Sequence, residues 1–90
     1  MSSEVILRPA TRLDVPVLFG LIKALAEYEK LSDAVTGNAV DLENHLFGDR
    51  PFAEAILAES EGRVMGWALF FHNYSTFLTQ PGIYLEDLFV

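Results

Sequence analysis

Ile83-Tyr84-Leu85-Glu86-Asp87-Leu88-Phe89-Val90 is an apolar run with two adjacent carboxylates embedded in it. Residues of this kind make strands that bury their faces or pair along an edge. Two acids placed among them must be ion-paired, hydrogen-bonded or solvated at a cleft. The run closes the 90-residue sequence. An apolar strand in that position leads to the expectation that the chain is one half of a larger fold.

Upstream of this run the pattern alternates between strand and helix. Val5-Ile6-Leu7-Arg8 is β-rich and is closed by Pro9, which has no amide hydrogen and suits a strand end. Thr11 and Asp14 are both helix-capping residue types. Pro16 favours Asp14, because counted from there the proline falls in the first turn, where its missing N–H costs nothing. Leu18, Leu21, Ile22, Leu25 and Tyr28 then recur at helical spacing as one apolar stripe, with Lys23, Glu27 and Lys30 off it. The segment Leu31 to Gly37 reads as a loop. Asn38 with Asp41 resembles a capping arrangement for a second helix over Ala39 to Phe47, with Gly48 expected to end it in a left-handed conformation.

Two strands, Phe52 to Glu59 and Arg63 to His72, are joined by the turn Ser60-Glu61-Gly62 as a hairpin. Asn73 to Gly82 reads as an irregular, turn-rich connection, with Pro81-Gly82 as a breaker before the final strand. The expected order is β-α-α-β-β-β in one unit, residues 1–90.

Composition narrows the chemistry. A chain that is 51% hydrophobic and 21% charged holds one modest core and is too apolar for disorder. It contains no cysteine and two histidines far apart in sequence, which disfavours a metal site and removes thiolate chemistry, so no metal is expected. A formal charge of −7 disfavours nucleic acid and suits a cationic ligand, although it also serves solubility. No apolar stretch reaches the roughly 18 residues of a membrane span, and the start lacks the pattern of a signal peptide. A cytoplasmic protein without a membrane partner is expected.

Several segments together carry a resemblance. They are Ile6-Leu7-Arg8-Pro9-Ala10-Thr11 with Asp14, Leu21-Ile22-Lys23, Leu25-Ala26, Tyr28-Glu29, Phe47-Gly48, Pro51-Phe52, Gly66-Trp67-Ala68, and Tyr84-Leu85-Glu86-Asp87-Leu88-Phe89-Val90. The chain resembles the N-terminal half of a GCN5-related N-acetyltransferase (GNAT), and within that superfamily the spermidine/spermine and thialysine acetyltransferase branch. The resemblance implies an α/β (α+β) fold with an antiparallel sheet. It also implies truncation before the glycine-rich loop that holds the acetyl-CoA pyrophosphate at a helix N-terminus. A helix that would cover one sheet face is then expected to be missing, leaving an apolar surface and an oligomer.

Acetyl transfer to an amine needs an uncharged nitrogen, so the cationic substrate must be held and then deprotonated, tasks suited to carboxylates and ordered water. Glu86 and Asp87 are the candidate catalytic and substrate-binding residues. Neighbours on a regular strand point to opposite faces, so both reach one cleft only if the strand is bulged there. Their structural alternative is acceptance of hydrogen bonds from a helix end or pairing with an arginine. By resemblance Glu29 and the preceding Tyr28 are substrate-binding residues, Glu29 facing a polyamine; as sequence alone Glu29 is a solvated helix-end charge and Tyr28 closes the apolar stripe. The backbone of Leu88, Phe89 and Val90 is the expected acetyl-CoA contact, with the amide near Leu88 polarising the thioester carbonyl. Trp67 is expected in the core, and His45 and His72 at the surface.

The function expected is acetyl-CoA-dependent acetylation of a small polyamine or lysine-like amine, with the 90-residue chain inactive alone and completed by a C-terminal half. The alternative is a non-catalytic module that forms a homodimer through its uncovered face and terminal edge.

Overall fold

Short runs rich in Ile, Leu, Val and Phe, separated by turn formers, pair edge to edge in the computed structural model, which describes residues 4–90. The strands are β1 (Ile6–Pro9), β2 (Glu54–Ser60), β3 (Arg63–Ser75) and β4 (Gln80–Phe89), and the helices are α1 (Val15–Tyr28) and α2 (Ala39–Phe47). The chain divides into a sheet unit, containing β1 and Phe52–Val90, and a helical unit, Thr11–Pro51.

In the sheet unit all neighbours are antiparallel and the spatial order is β1-β2-β3-β4, so β1 and β4 are the edges. The β2–β3 turn has two residues, since Ser60 pairs with Arg63. Glu61 (φ 54°) and Gly62 (φ 77°) both take the positive φ that such a turn requires. The ladder between β3 and β4 corrects the expectation of an irregular segment from Asn73 to Gly82. Tyr74 pairs with Pro81 and Asn73 with Gly82, and only the turn between Ser75 and Gln80 interrupts the strands. Pro81 does not break the strand because an edge strand has one side without a ladder, where a residue lacking an N–H is accommodated.

Paired residues share a face of a sheet, and alternate residues return to it. Ala55, Leu57, Trp67, Leu69 and Phe71 therefore occupy one face, on which Ala55, Leu57 and Trp67 are buried. The other face carries Leu7, Ile56, Ile83, Leu85 and Leu88, all exposed. Leu57 is 0% exposed. Leu57→Ala is expected to cost about 2–5 kcal/mol, the range for truncating a fully buried leucine, read as a lowered urea midpoint. A loss below about 1 kcal/mol would show that the site collapses without a cavity.

In the helical unit, Thr11 and Asp14 are used together. A 3-10 turn over Arg12–Asp14 precedes α1. The Asp14 carboxylate accepts from the Thr11 N–H (2.7 Å) and from the Thr11 hydroxyl (3.0 Å). Asp14 is the residue before α1, as expected, but its side chain turns back to Thr11 and makes no cap hydrogen bond to the helix it precedes. Pro16 lies in the first turn of α1. At α2 the Asn38 side chain accepts from the Asp41 N–H at 2.8 Å, the expected cap. Arg12 donates to the Phe47 carbonyl (2.6 Å) and lies 3.7 Å from Glu43, tying the end of α2.

Gly48 ends α2 differently from expectation: its φ of −75° is ordinary and extended. Its requirement is space, because a Cβ there would stand 2.5 Å from the Asn44 carbonyl oxygen. Tyr28 also departs from expectation. It is 85% exposed, so the buried stripe runs through Val15 and Leu18 and fades before the last turn.

Candidate functional site

The central feature lies in β4, where two acids interrupt an apolar strand. Leu69 pairs with Asp87 and Phe70 with Leu85, so the register slips by one and Glu86 is an extra residue, a bulge on the edge strand. Without it, Tyr84 and Asp87, three apart, would lie on opposite faces. With it, Tyr84 (paired with Phe71) and Asp87 (paired with Leu69) occupy neighbouring positions on one face.

Glu86 is exposed and Asp87 half-buried. Among the described residues neither carboxylate has a hydrogen-bonding or ion-pairing partner, so neither of the structural alternatives, a helix end or an arginine, is in place. Of the two arginines in this sheet, Arg8 is engaged elsewhere, pairing with Glu59 at 3.2 Å, and Arg63 opens β3 opposite Ser60.

Immediately beyond the acids, Leu88, Phe89 and Val90 border an apolar cavity of about 280 Å³ whose other walls include Leu7, Ile56 and Ala68. Gly66 also lines it, at a point where a Cβ would stand 2.7 Å from the Phe89 carbonyl oxygen, so the end of β4 approaches β3 as closely as backbone allows. Trp67 is 2% exposed, as expected of a core residue, and its Nε1 has no hydrogen-bond partner among the described residues. The cavity offers hydrocarbon walls and no charge, which suits an alkyl chain.

Tyr28 and Glu29 lie at the C-terminal end of α1 in the helical unit, both exposed. The Glu29 N–H donates to the Leu25 carbonyl at 3.0 Å. A carboxylate there opposes the helix dipole, so helix stability does not explain its placement.

Two arrangements escape sequence reading. The Phe71 and Tyr84 rings stack across β3 and β4, centroids 5.0 Å apart and 27° between planes. His72, at the surface as expected, has its Nε2 2.8 Å from a Glu54 carboxylate oxygen and its ring edge against Phe70. Both follow from strand register: the stack from the β3–β4 ladder, which treating Asn73 to Gly82 as a loop conceals, and the His72–Glu54 contact from the β2–β3 ladder. Among the described residues no group of three or more His, Cys, Asp or Glu could hold a metal ion. No described helix is long and apolar enough to cross a membrane.

No family model matches the chain. Individual proteins do. The thialysine N-epsilon-acetyltransferase of Sus scrofa is 38% identical over 96 residues, covering 98% of this chain and 56% of that protein. The spermidine/spermine N(1)-acetyltransferase-like protein 1 of Homo sapiens is 33% identical over 91 residues, covering 93% of this chain and 13% of that protein. Among solved structures, an aminoglycoside acetyltransferase from an uncultured soil metagenomic sample, in complex with sisomicin, superposes with a TM-score of 0.69 over 93% of this chain and 54% of that one, at 14% identity. This last likeness concerns the fold. The chain spans about half the length of the thialysine acetyltransferases it matches. Two helices with a four-stranded antiparallel sheet, in the order β-α-α-β-β-β, and these relatives together place the chain in the GCN5-related N-acetyltransferase family, as the N-terminal half of its fold.

Proposed function

We propose that the chain supplies the acceptor side of an acetyl-CoA-dependent N-acetyltransferase whose substrate is a small cationic amine, a polyamine or a lysine-like molecule. The observation that carries this reading is the bulge at Glu86, where two adjacent carboxylates stand without partners among the described residues on a strand that otherwise favours burial. The names of the relatives supply the amine class.

In this reading Glu86 and Asp87 hold the ammonium group and accept its proton, directly or through water. The freed nitrogen lone pair attacks the thioester carbonyl carbon, a C–N bond forms, the C–S bond breaks, and the leaving thiolate takes up the second proton that the nitrogen sheds as the amide forms. The amide near Leu88 stabilises the developing oxyanion. The backbone of Leu88, Phe89 and Val90 lies along the alkyl arm of acetyl-CoA at the free edge of β4. The resemblance also makes Tyr28 and Glu29 candidate amine contacts. Residues 1–90 form one partial domain in this reading, which works in the cytoplasm.

The test is acetyl transfer from acetyl-CoA to a panel of polyamines and lysine analogues, by the 90-residue chain and by the chain extended through its native reading frame. Turnover in the extended form alone is the expected result. Equal turnover by both would overturn the division of the site between two halves.

A second reading is favoured by the exposed apolar face bearing Leu7, Ile56, Leu85 and Leu88: a non-catalytic module that pairs with a copy of itself. Stable dimers in sedimentation, together with no turnover in any form, would favour it. A monomer at tens of micromolar would dismiss it.

A further inference from the structure

We propose that the Phe71–Tyr84 stack seats the cationic head of the acceptor amine beside Asp87, with the Tyr84 ring as the contact surface. This deepens the amine acetyltransferase reading and rests on it.

Three observations carry the inference. The first is placement: the bulge at Glu86 brings Asp87 onto the face that Tyr84 and Phe71 occupy, one ladder position from the stacked rings. The second is access. Tyr84 is 51% exposed although Phe71 lies against one side of its ring, so the residue keeps surface that a ligand can reach. The third is chemistry. A ring face is negative at its centre and attracts ammonium groups, and the attraction strengthens where water is partly excluded. A carboxylate alone binds any small cation. A carboxylate beside an aromatic face prefers a cation carrying hydrocarbon, which the ring also covers. The stack thus selects an alkylamine over ammonium or a metal ion.

A stack that served only the sheet would be a cross-strand aromatic pair, and its loss would lower stability without altering selectivity. The experiment therefore reads binding and selectivity together. It measures calorimetric titration of spermidine, and of 1,8-octanediol as an uncharged chain of similar length, into the chain carried in its complete reading frame. Tyr84→Leu keeps apolar bulk and removes the ring. It is expected to weaken spermidine binding by about five- to thirty-fold while leaving the diol unchanged. Tyr84→Phe restores the ring face and is expected to recover spermidine binding to within about twofold.

Wild-type affinity in Tyr84→Leu overturns the proposal, and so does a Tyr84→Phe variant as weak as Tyr84→Leu. If Tyr84→Leu fails to fold, Phe71→Leu removes the ring's support and must weaken spermidine binding; wild-type affinity there overturns the proposal equally. Should Glu86→Gln/Asp87→Asn bind spermidine as tightly as wild type, the acceptor-site reading itself falls. Should that double variant lose binding while Tyr84→Leu does not, only the role of the stack falls.

Discussion

Replacing Glu86 with Gln and Asp87 with Asn together is expected to lower acetyl transfer to a polyamine by about 10²–10⁴-fold, the range supplied by a positioned general base, while leaving thermal unfolding close to wild type. Both halves of this expectation come from the surroundings of the acids. An ammonium group is unreactive until it loses a proton, and Glu86 and Asp87 are the adjacent acids at the β4 bulge. Among the described residues neither is paired with a cation, so neutralising them strands no opposite charge. Amide replacements keep the volume; at exposed Glu86 such a change usually stays within about 0.5 kcal/mol, and at half-buried Asp87 it removes a charge that has no partner among the described residues. The single variants separate the roles. A residue that only holds the amine raises KM, whereas one that takes the proton lowers kcat and shifts the pH profile. Unchanged turnover in the double variant, measured in the extended chain with acetyl-CoA saturating, would remove both carboxylates from the mechanism.

Local chemistry was readable from the sequence, and long-range pairing was not. The cap of α2 depends on Asn38 and Asp41, three residues apart, and both the cap and the start at Ala39 follow from that spacing. Gly48 marks the end of the helix correctly, but its backbone is set by the approach of the Asn44 carbonyl rather than by positive φ. Pro81-Gly82 shows the limit more sharply. Proline ends a strand when both sides need donors, and it is tolerated on an edge. Whether β4 is an edge depends on the order of four strands, which a local signal does not contain. Tyr28 fits the helical period of the buried stripe, yet it lies in the last turn of α1 and stands exposed.

The candidate site divides in the same way. Two acids inside an apolar strand are conspicuous in the sequence, and so is the geometric condition that a bulge must exist for them to share a cleft. The position of the bulge is a property of the ladder, visible only when Leu69 is matched to Asp87 and Phe70 to Leu85. The Phe71–Tyr84 stack is hidden for the same reason, since it joins residues 13 apart through a register that the turn reading obscured.

Removing Glu86 altogether is expected to leave the fold standing, whereas removing Ala68 is expected to abolish it. A deletion inside a strand ordinarily turns every later side chain to the opposite face. Ala68 lies in β3, which has ladders on both sides, and between Trp67 and Leu69, which share the face of Leu57. Its loss forces either Trp67 or the Leu69–Phe71 segment onto the other face and breaks two ladders, so no cooperative unfolding transition and no near-ultraviolet signal from Trp67 are expected. Glu86 is the residue that β3 leaves without a partner. Deleting it closes the bulge: Tyr84, Asp87 and Phe89 then fall on one face by simple alternation, and Leu85 and Leu88 on the other, as they already do. The ladder becomes regular, and the melting temperature is expected to hold within a few degrees. Amine acetylation should still fall by at least about tenfold, because a bulge is what re-aims side chains at a cleft, and its closure removes one acid and the local twist that presents the other. A deletion variant that is folded and fully active would show that β4 needs neither the bulge nor Glu86, while one that is unfolded would show that the extra residue belongs to the architecture. A folded, impaired protein would mark Glu86 as an insertion that the sheet tolerates for the sake of the acceptor site.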